Sequence, residues 1–80
     1  MEESILLSPN PGRGLFQIRT KQISIKSYQI FNGIGQLMIR NDGLDTQQID
    51  LDLSNYANGI YYLELETDKG KVTKKIAISN

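Results

Sequence analysis

The sequence predicts an all-β domain, an immunoglobulin-like Greek-key β-sandwich of about seven short antiparallel strands. Short runs rich in Ile, Leu and Tyr recur at intervals of about ten residues, and clusters of Gly, Asn, Asp and Pro separate them. No segment keeps apolar residues at helical spacing over several turns. The 80 residues suffice for one domain with a thin core.

The first four predicted strands end at residues that favour turns. Two prolines and two glycines within residues 9–14 exclude a helix or a central strand there. Phe16 and Ile18 alternate with polar residues in the second run, and Asn32-Gly33 is a turn signal after the third. An Asn-Asp-Gly turn follows the fourth. These strands are predicted at residues 4–7, 15–20, roughly 23–31 and 36–40.

The last three predicted strands show alternation of apolar and polar residues. In the fifth, Ile49 and Leu51 alternate with aspartates, which predicts one buried and one exposed face. In the seventh, Lys74 interrupts an apolar face. It lies either at a sheet edge with its ammonium group in solvent or at a bulge. These strands are predicted at residues 48–53, 60–67 and 71–78.

The segment between the fifth and sixth strands favours a Greek-key sandwich over a small barrel. Tyr61 lies just inside the sixth strand, after a corner that contains Gly59. Immunoglobulin-like sandwiches often place a tyrosine there, with its hydroxyl bonded to the corner backbone. We therefore expect Tyr61 to bury its ring and to bond the corner; the alternative is that it is only a large strand residue.

Charge and composition disfavour several classes of function. Nine basic and nine acidic residues cancel, which argues against nucleic acid or an anionic membrane surface as partner. The chain lacks His and Cys, and no nucleophile–base arrangement is recognisable, so we expect no enzyme and no cofactor. No apolar run reaches the roughly 20 residues that span a bilayer, so we expect no direct membrane insertion. A solvated acidic face is a better interpretation than calcium ligation for Asp42, Asp45, Asp50 and Asp52.

Four segments resemble one known family, in the same order and at the same spacing. The first holds the Pro9-Asn10-Pro11 turn, then Gly14 and a strand. The others are residues 30–37 (IFNGIGQL), 51–63 (LDLSNYANGIYYL) and 70–76 (GKVTKKI). Over about residues 5–78 the chain therefore resembles the C-terminal sorting domains of the type IX (Por) bacterial secretion pathway, type A.

The resemblance implies a non-catalytic secretion signal. Such domains lie at the C-terminus of a parent cargo protein, are recognised by the outer-membrane translocon, and are commonly removed upstream of the sandwich by a sortase-like peptidase. The cargo is then expected to be secreted or held at the cell surface after passing through the periplasm. On this interpretation residues 5–80 form the sorting domain and residues 1–4 are a tag or linker remnant.

The candidate recognition or motif residues are Tyr61, whose corner role is described above, and three further groups. The proline turn is rigid, and we expect a mainly structural role for it, with recognition second. The glycines are expected at backbone conformations that other residues resist. The lysines near the C-terminus form either a docking surface for the translocon or a solvated edge that blocks strand pairing. The candidates are Pro9, Asn10, Pro11, Gly14, Gly35, Gly59, Tyr61, Lys74 and Lys75.

A different class of function remains open from the residues alone. The chain has the pattern of an immunoglobulin-like adhesion or carbohydrate-binding module of a secreted protein. Exposed tyrosines would then contact the sugar, and the candidates are Tyr28, Tyr56, Tyr61 and Tyr62. An uncovered edge strand would also allow a weak homodimer.

Overall fold

A computed structural model describes residues 5–8 and 13–79. Within these ranges the regular elements are seven β-strands, as predicted. They are β1 (Ile5–Ser8), β2 (Leu15–Thr20), β3 (Ile25–Phe31), β4 (Leu37–Asn41), β5 (Gln48–Asp52), β6 (Gly59–Thr67) and β7 (Gly70–Ile78). The described ranges contain no helix with the length and apolar character that crossing a membrane requires.

The strands form two antiparallel sheets, which confirms the predicted all-β sandwich. One sheet has three strands in the order β1-β2-β5, and the other has four in the order β4-β3-β6-β7. Every neighbouring pair is antiparallel. The chain passes between the sheets after β2, after β4 and after β5. These crossings are the Greek-key connections of immunoglobulin-like sandwiches.

Two strands begin later than the sequence predicts. The third starts at Ile25 because Gln22 has a φ of 61°, and the Thr20 hydroxyl donates to the Ile23 carbonyl, so the chain turns there instead of extending. The fourth starts at Leu37 because Gln36 still belongs to the preceding turn. Side-chain hydrogen bonds in turns compete with the sheet ladder in this way.

The core lies between the sheets and consists of side chains from alternate strand positions. β5 shows the predicted alternation, with Ile49 and Leu51 buried and the aspartates exposed. β6 lies between two neighbours and supplies the most buried positions of any strand. The large side chains with almost no solvent contact are Ile18, Ile25, Ile30, Leu53, Leu63, Leu65 and Ile76.

Each sheet packs one face against the core and leaves its other face exposed to solvent. We call the face of the four-stranded sheet that points away from the core its outer face. Among the described residues, every buried side-chain nitrogen or oxygen has a hydrogen-bond partner. The interior is therefore satisfied, and a binding function has to be sought on the surface.

Candidate functional site

The two candidate lysines of β7 lie on opposite faces of the sheet. Lys74 is opposite Leu63, a residue of the core, whereas Lys75 is opposite Tyr62 on the outer face. The pairing of β6 with β7 runs without a register shift, so Lys74 lies at no bulge. It is half-buried on an edge strand, the arrangement in which an inward charge discourages further strand pairing. The structure therefore does not unite Lys74 and Lys75 in one basic surface.

The outer face has a polar half near the turn between β6 and β7. Glu66 is opposite both Ser27 and Lys71 in its two neighbouring strands. On β4, the Arg40 side chain lies 3.1 Å from an oxygen of Asp42. A shallow depression in this half is lined only by polar side chains, with both signs of charge represented. Basic and acidic side chains are mixed there, with acidic ones in slight excess, and they give no strong single-sign field.

The other half of the outer face is apolar. Phe31 of β3 is opposite Tyr62 of β6, and a register shift between Ile30 and Phe31 brings it opposite Leu37 of β4, so the three residues form a row across three strands. Met38 and Ile60 lie next to this row, and both are exposed. We call these five residues the outer apolar patch. Lys75 continues the row on β7, so it stands at the rim of the patch.

Sequence analysis missed the outer apolar patch. In β6 the run Ile60-Tyr61-Tyr62-Leu63 is apolar at every position, so its alternation does not reveal which residues face outward. The signal that could have found it is the excess of apolar residues in this run, because a strand with one solvated face should carry polar residues at alternate positions.

The corner between β5 and β6 is held by Tyr61. Its hydroxyl donates to the Ala57 carbonyl at 2.6 Å, and its ring is buried. The Tyr56 ring packs against it with centroids 6.2 Å apart. Gly59 begins β6 with a φ of 149°. This is the tyrosine-corner contact that the sequence suggested. Tyr61 therefore has a structural role in the corner and is not exposed for binding.

Gly14 allows the backbone just before β2 to approach the backbone just after β5. It has a φ of 114°, and a Cβ atom there would lie 2.6 Å from the Cα of Ser54. The Leu53 amide donates to the Gly14 carbonyl at 2.6 Å. Any larger residue would strain the backbone at this position and would clash with the backbone of Ser54. The role of Gly14 in the structure is therefore close backbone packing.

The hairpin between β3 and β4 is closed by one side chain. The Asn32 carboxamide oxygen accepts from the amides of Ile34 at 3.1 Å and Gln36 at 2.9 Å. Gly35 takes a φ of 87° and donates its amide to the Asn32 carbonyl at 3.0 Å. The hairpin presents Ile34 with 82% of its surface exposed. Because a Cβ on Gly33 would lie 3.4 Å from the Ile60 carbonyl oxygen, this turn lies beside β6.

The remaining sequence candidates do not form a site. Pro9, Asn10 and Pro11 lie outside the described residues, as do residues 1–4. The four tyrosines do not share an exposed surface, because only Tyr62 faces outward, Tyr61 is buried, and the other two pack against the core. They therefore offer no continuous platform for a sugar ring.

Two exposed carboxylates are held in their charged form by local contacts. The Ser24 hydroxyl donates to Asp45, and the ammonium of Lys26 lies 3.2 Å away, which together lower the pKa of Asp45. The hydroxyl and the amide of Ser54 donate to Asp52 at 2.6 and 3.1 Å and lower the pKa of Asp52. Within the described ranges, no three acidic residues come together as metal ligands. These contacts stabilise the local backbone around Asp45 and Asp52.

Comparison with known proteins identifies the fold's family. The family described as the secretion system C-terminal sorting domain matches residues 7–79, which covers part of β1 and every later strand. No curated protein matches the chain. The matched range contains both sheets, the corner at Tyr61 and the outer face. The chain therefore belongs to the family of C-terminal sorting domains, the sorting signals of type IX secretion.

Proposed function

We propose that this domain directs its cargo from the periplasm through the type IX outer-membrane translocon, acting as a signal without catalytic activity of its own. The observation that carries this proposal is the family match over residues 7–79, because it covers part of β1 and all six later strands and is not limited to one short motif. A signal of this size is read as a folded surface. Residues 5–80 then serve as one recognition unit attached to the cargo.

We propose further that a sortase-like peptidase removes the domain on the N-terminal side of the sandwich. β1 supports this, because it has four residues and pairs with β2 alone. Strands with a single neighbour and few buried residues open locally at low free energy. A peptidase would therefore reach the chain beside β1 without unfolding the rest of the core.

The basic residues that face outward contribute to docking. Lys71 and Lys75 both project from the outer face of β7, where a partner can reach them. Lys74 points to the opposite side, over the margin of the core. Of the two lysines that the sequence singles out, Lys75 is the docking candidate and Lys74 protects the edge.

A reporter fusion tests the proposed function. A periplasm-directed fluorescent protein carrying this domain at its C-terminus is expressed in cells with and without a working type IX translocon. Surface delivery is expected only in the competent strain, and the reporter without the domain should stay in the periplasm in both. Retention of the folded fusion in the competent strain would overturn the proposal.

The same cells test the cleavage step. The mass of the surface-delivered reporter is measured by mass spectrometry in strains with and without the peptidase. Loss of the sandwich only when the peptidase is present is the expected result. A delivered reporter that keeps the intact domain in both strains would contradict cleavage and would leave the sorting role untouched.

A further inference from the structure

Three of the four edge strands carry a feature that discourages pairing with another chain. β1 has only four residues, and the pairing of β4 with β3 contains a register shift. β7 directs Lys74 towards the core side of its sheet. Short strands, irregular pairing and inward charges are devices by which natural sheets protect their edges. β5, which borders solvent in the three-stranded sheet, has none of these three.

β5 is regular over its whole length. Its five residues pair with β2 without a register shift, and Ile49 and Leu51 point into the core. It contains no proline, which would remove a backbone donor. Among the described elements, no strand lies on its other side. We call this side, which faces away from β2, the β5 edge, and its regular backbone is a template on which another strand can pair.

Two hydrogen bonds show which backbone groups face the β5 edge. The Leu53 amide donates to the Gly14 carbonyl at 2.6 Å, and the Thr20 amide donates to the Gln47 carbonyl at 2.9 Å. Both contacts continue the register of the β2–β5 pairing. Opposite residues in an antiparallel pair alternate between hydrogen-bonded and non-hydrogen-bonded positions, so alternate residues of β5 direct their N–H and C=O groups away from β2. These residues are Gln48, Asp50 and Asp52.

The open part of the β5 edge lies at its two aspartates. The Gln48 amide donates to the Thr46 hydroxyl at 3.2 Å, and that hydroxyl donates to the Gln48 carbonyl at 3.0 Å. The edge-facing N–H and C=O groups of Asp50 and Asp52 have no hydrogen bond to another described residue. Both residues are exposed, so these groups bond water. A partner strand can therefore replace that water with two donors and two acceptors of its own.

The side chains at this edge are acidic and have no ion pair. Asp50 is opposite Gln17 and Asp52 is opposite Leu15, so neither cross-strand partner is charged. Arg19 is opposite the next outward-facing residue of β5, diagonal to Asp50. In the part of the chain that the structure describes, it forms no ion pair with Asp50. The outward-facing positions of β5 hold no basic residue, so the edge itself is negatively charged.

Both carboxylates keep an oxygen for a partner. The Gln17 carboxamide donates to one oxygen of Asp50 at 3.1 Å. The hydroxyl and the amide of Ser54 donate to one oxygen of Asp52, and these bonds lower its pKa, so this group is ionised at neutral pH. The second oxygen of each carboxylate has no printed contact to a described residue. A basic side chain directly across the strand can therefore bond it.

The same charges disfavour a second copy of this chain at the β5 edge. In the antiparallel register of greatest overlap, Asp50 would lie opposite Asp50 of the other copy. A shift by one pair towards the end of the strand would bring Asp50 opposite Asp52. Like charges directly opposite one another destabilise a strand pair, whereas opposite charges stabilise it. The edge therefore favours a strand that carries basic residues.

We propose that the β5 edge binds an extended basic segment of another protein, which joins the three-stranded sheet as a further strand and places Lys or Arg opposite Asp50 and Asp52. The backbone hydrogen bonds supply affinity, and the alternate side chains supply specificity. The residues between the basic ones lie beside Ile49 and Leu51 at the margin of the core and are apolar. This site is independent of the proposed sorting function.

Amide hydrogen exchange detected by NMR tests the pairing. The probe is a short synthetic peptide of alternating lysine and valine, capped at both ends, added to the 80-residue chain. The amides of Asp50 and Asp52 should exchange rapidly in the free chain and become protected when the peptide is added. The amides of Ile49 and Leu51 already bond β2 and should change little. This alternation along one strand is specific to strand addition.

Matched peptides and variants separate the backbone contribution from the charge. A peptide of alternating glutamate and valine should not bind, and methyl groups on the backbone nitrogens that face the domain should abolish binding of the lysine peptide. Asp50→Asn, which keeps the backbone donor, should weaken binding roughly twofold to fivefold, and Asp50→Lys should weaken it further. Glu66→Gln removes an exposed charge from the other sheet and should bind as the original does. Melting temperatures should stay close to the original because these positions are exposed.

Three results would overturn the proposal. The first is an absence of added protection at Asp50 and Asp52 with the lysine peptide. The second is equal binding of the glutamate peptide, which would remove the basic partner. The third is protection of the same amides in the free chain together with a dimer in sedimentation, which would assign the edge to a second copy. Failure of the reporter to reach the surface would overturn the sorting function and would leave the peptide result unchanged.

Discussion

Replacing Tyr61 by phenylalanine removes one hydroxyl and leaves the buried ring in place. That hydroxyl donates to the Ala57 carbonyl at 2.6 Å. A hydrogen bond of this kind contributes about 0.5–1.5 kcal/mol net, and an acceptor left without its donor adds to the loss. Ala57 is exposed, so water can partly replace the lost donor. We therefore expect the free energy of unfolding to fall by about 1–1.5 kcal/mol.

Urea and thermal denaturation of the isolated domain measure this change. For a domain of this size, a loss of about 1–1.5 kcal/mol lowers the melting temperature by roughly 5–10 °C. The urea midpoint should fall with no change in slope, because the folded and unfolded surfaces are unchanged. The matched control is Tyr62→Phe, one residue on and 40% exposed, which should stay within about 0.5 kcal/mol of the original. Equal stability of the Tyr61 variant and the original would refute the corner as a source of stability.

Three further predictions concern a glycine, the two lysines and a carboxylate. Gly14→Ala should lower the free energy of unfolding, measured by urea denaturation, by about 2–3 kcal/mol, because backbone strain adds to a clash with backbone atoms. Gly35→Ala, at a position with open space around it, should lower it by about 1–2 kcal/mol. Equal losses would contradict the close backbone approach at Gly14. Lys74→Glu should lower the free energy of unfolding by about 1 kcal/mol, because the aliphatic part of the lysine covers the margin of the core. Lys75→Glu should reduce export while the free energy of unfolding stays within about 0.5 kcal/mol of the original. Loss of export in both variants without destabilisation would contradict the different roles assigned to the two lysines. The lowered pKa of Asp45 stabilises the folded state above the pKa of the unfolded chain, and this stabilisation is lost as pH falls through the folded value, so Asp45→Asn should flatten the decline of the melting temperature below about pH 4; an unchanged acid limb would show that its contacts do not matter to stability.

The strands that the sequence predicted best are those with one polar and one apolar face. β5 is the clearest case, since Asp50 and Asp52 alternate with Ile49 and Leu51 and the structure buries only the latter pair. The start of β3 was predicted two residues early, because apolar content at Ile23 carries no sign that the preceding backbone turns. Periodicity reports burial, and it does not report local hydrogen bonds of side chains to the backbone.

The candidate site depended on knowledge of which strands are neighbours. Adjacent residues of a strand point to opposite faces, so Lys74 and Lys75 could be separated in principle. The alternation of the seventh strand already places Lys74 on the apolar face, whereas the residues that surround Lys75 depend on the strand order, which follows from pairings between distant segments. The same limit hid the outer apolar patch, whose members come from three strands and meet only through register.

The pairing of β3 with β6 has a consequence for when the domain can be recognised. It brings Ile30 opposite Leu63, and the three-stranded sheet likewise pairs Phe16 with Leu51. Sandwiches dominated by such distant pairings fold in about milliseconds to seconds, slowly for their size. If the signal is the folded surface of the sandwich, a chain that is still unfolded cannot yet be recognised. Under the proposed function, a receptor that contacts β4, β3 and β6 together would bind only after these strands have paired, so export would require that the domain has folded.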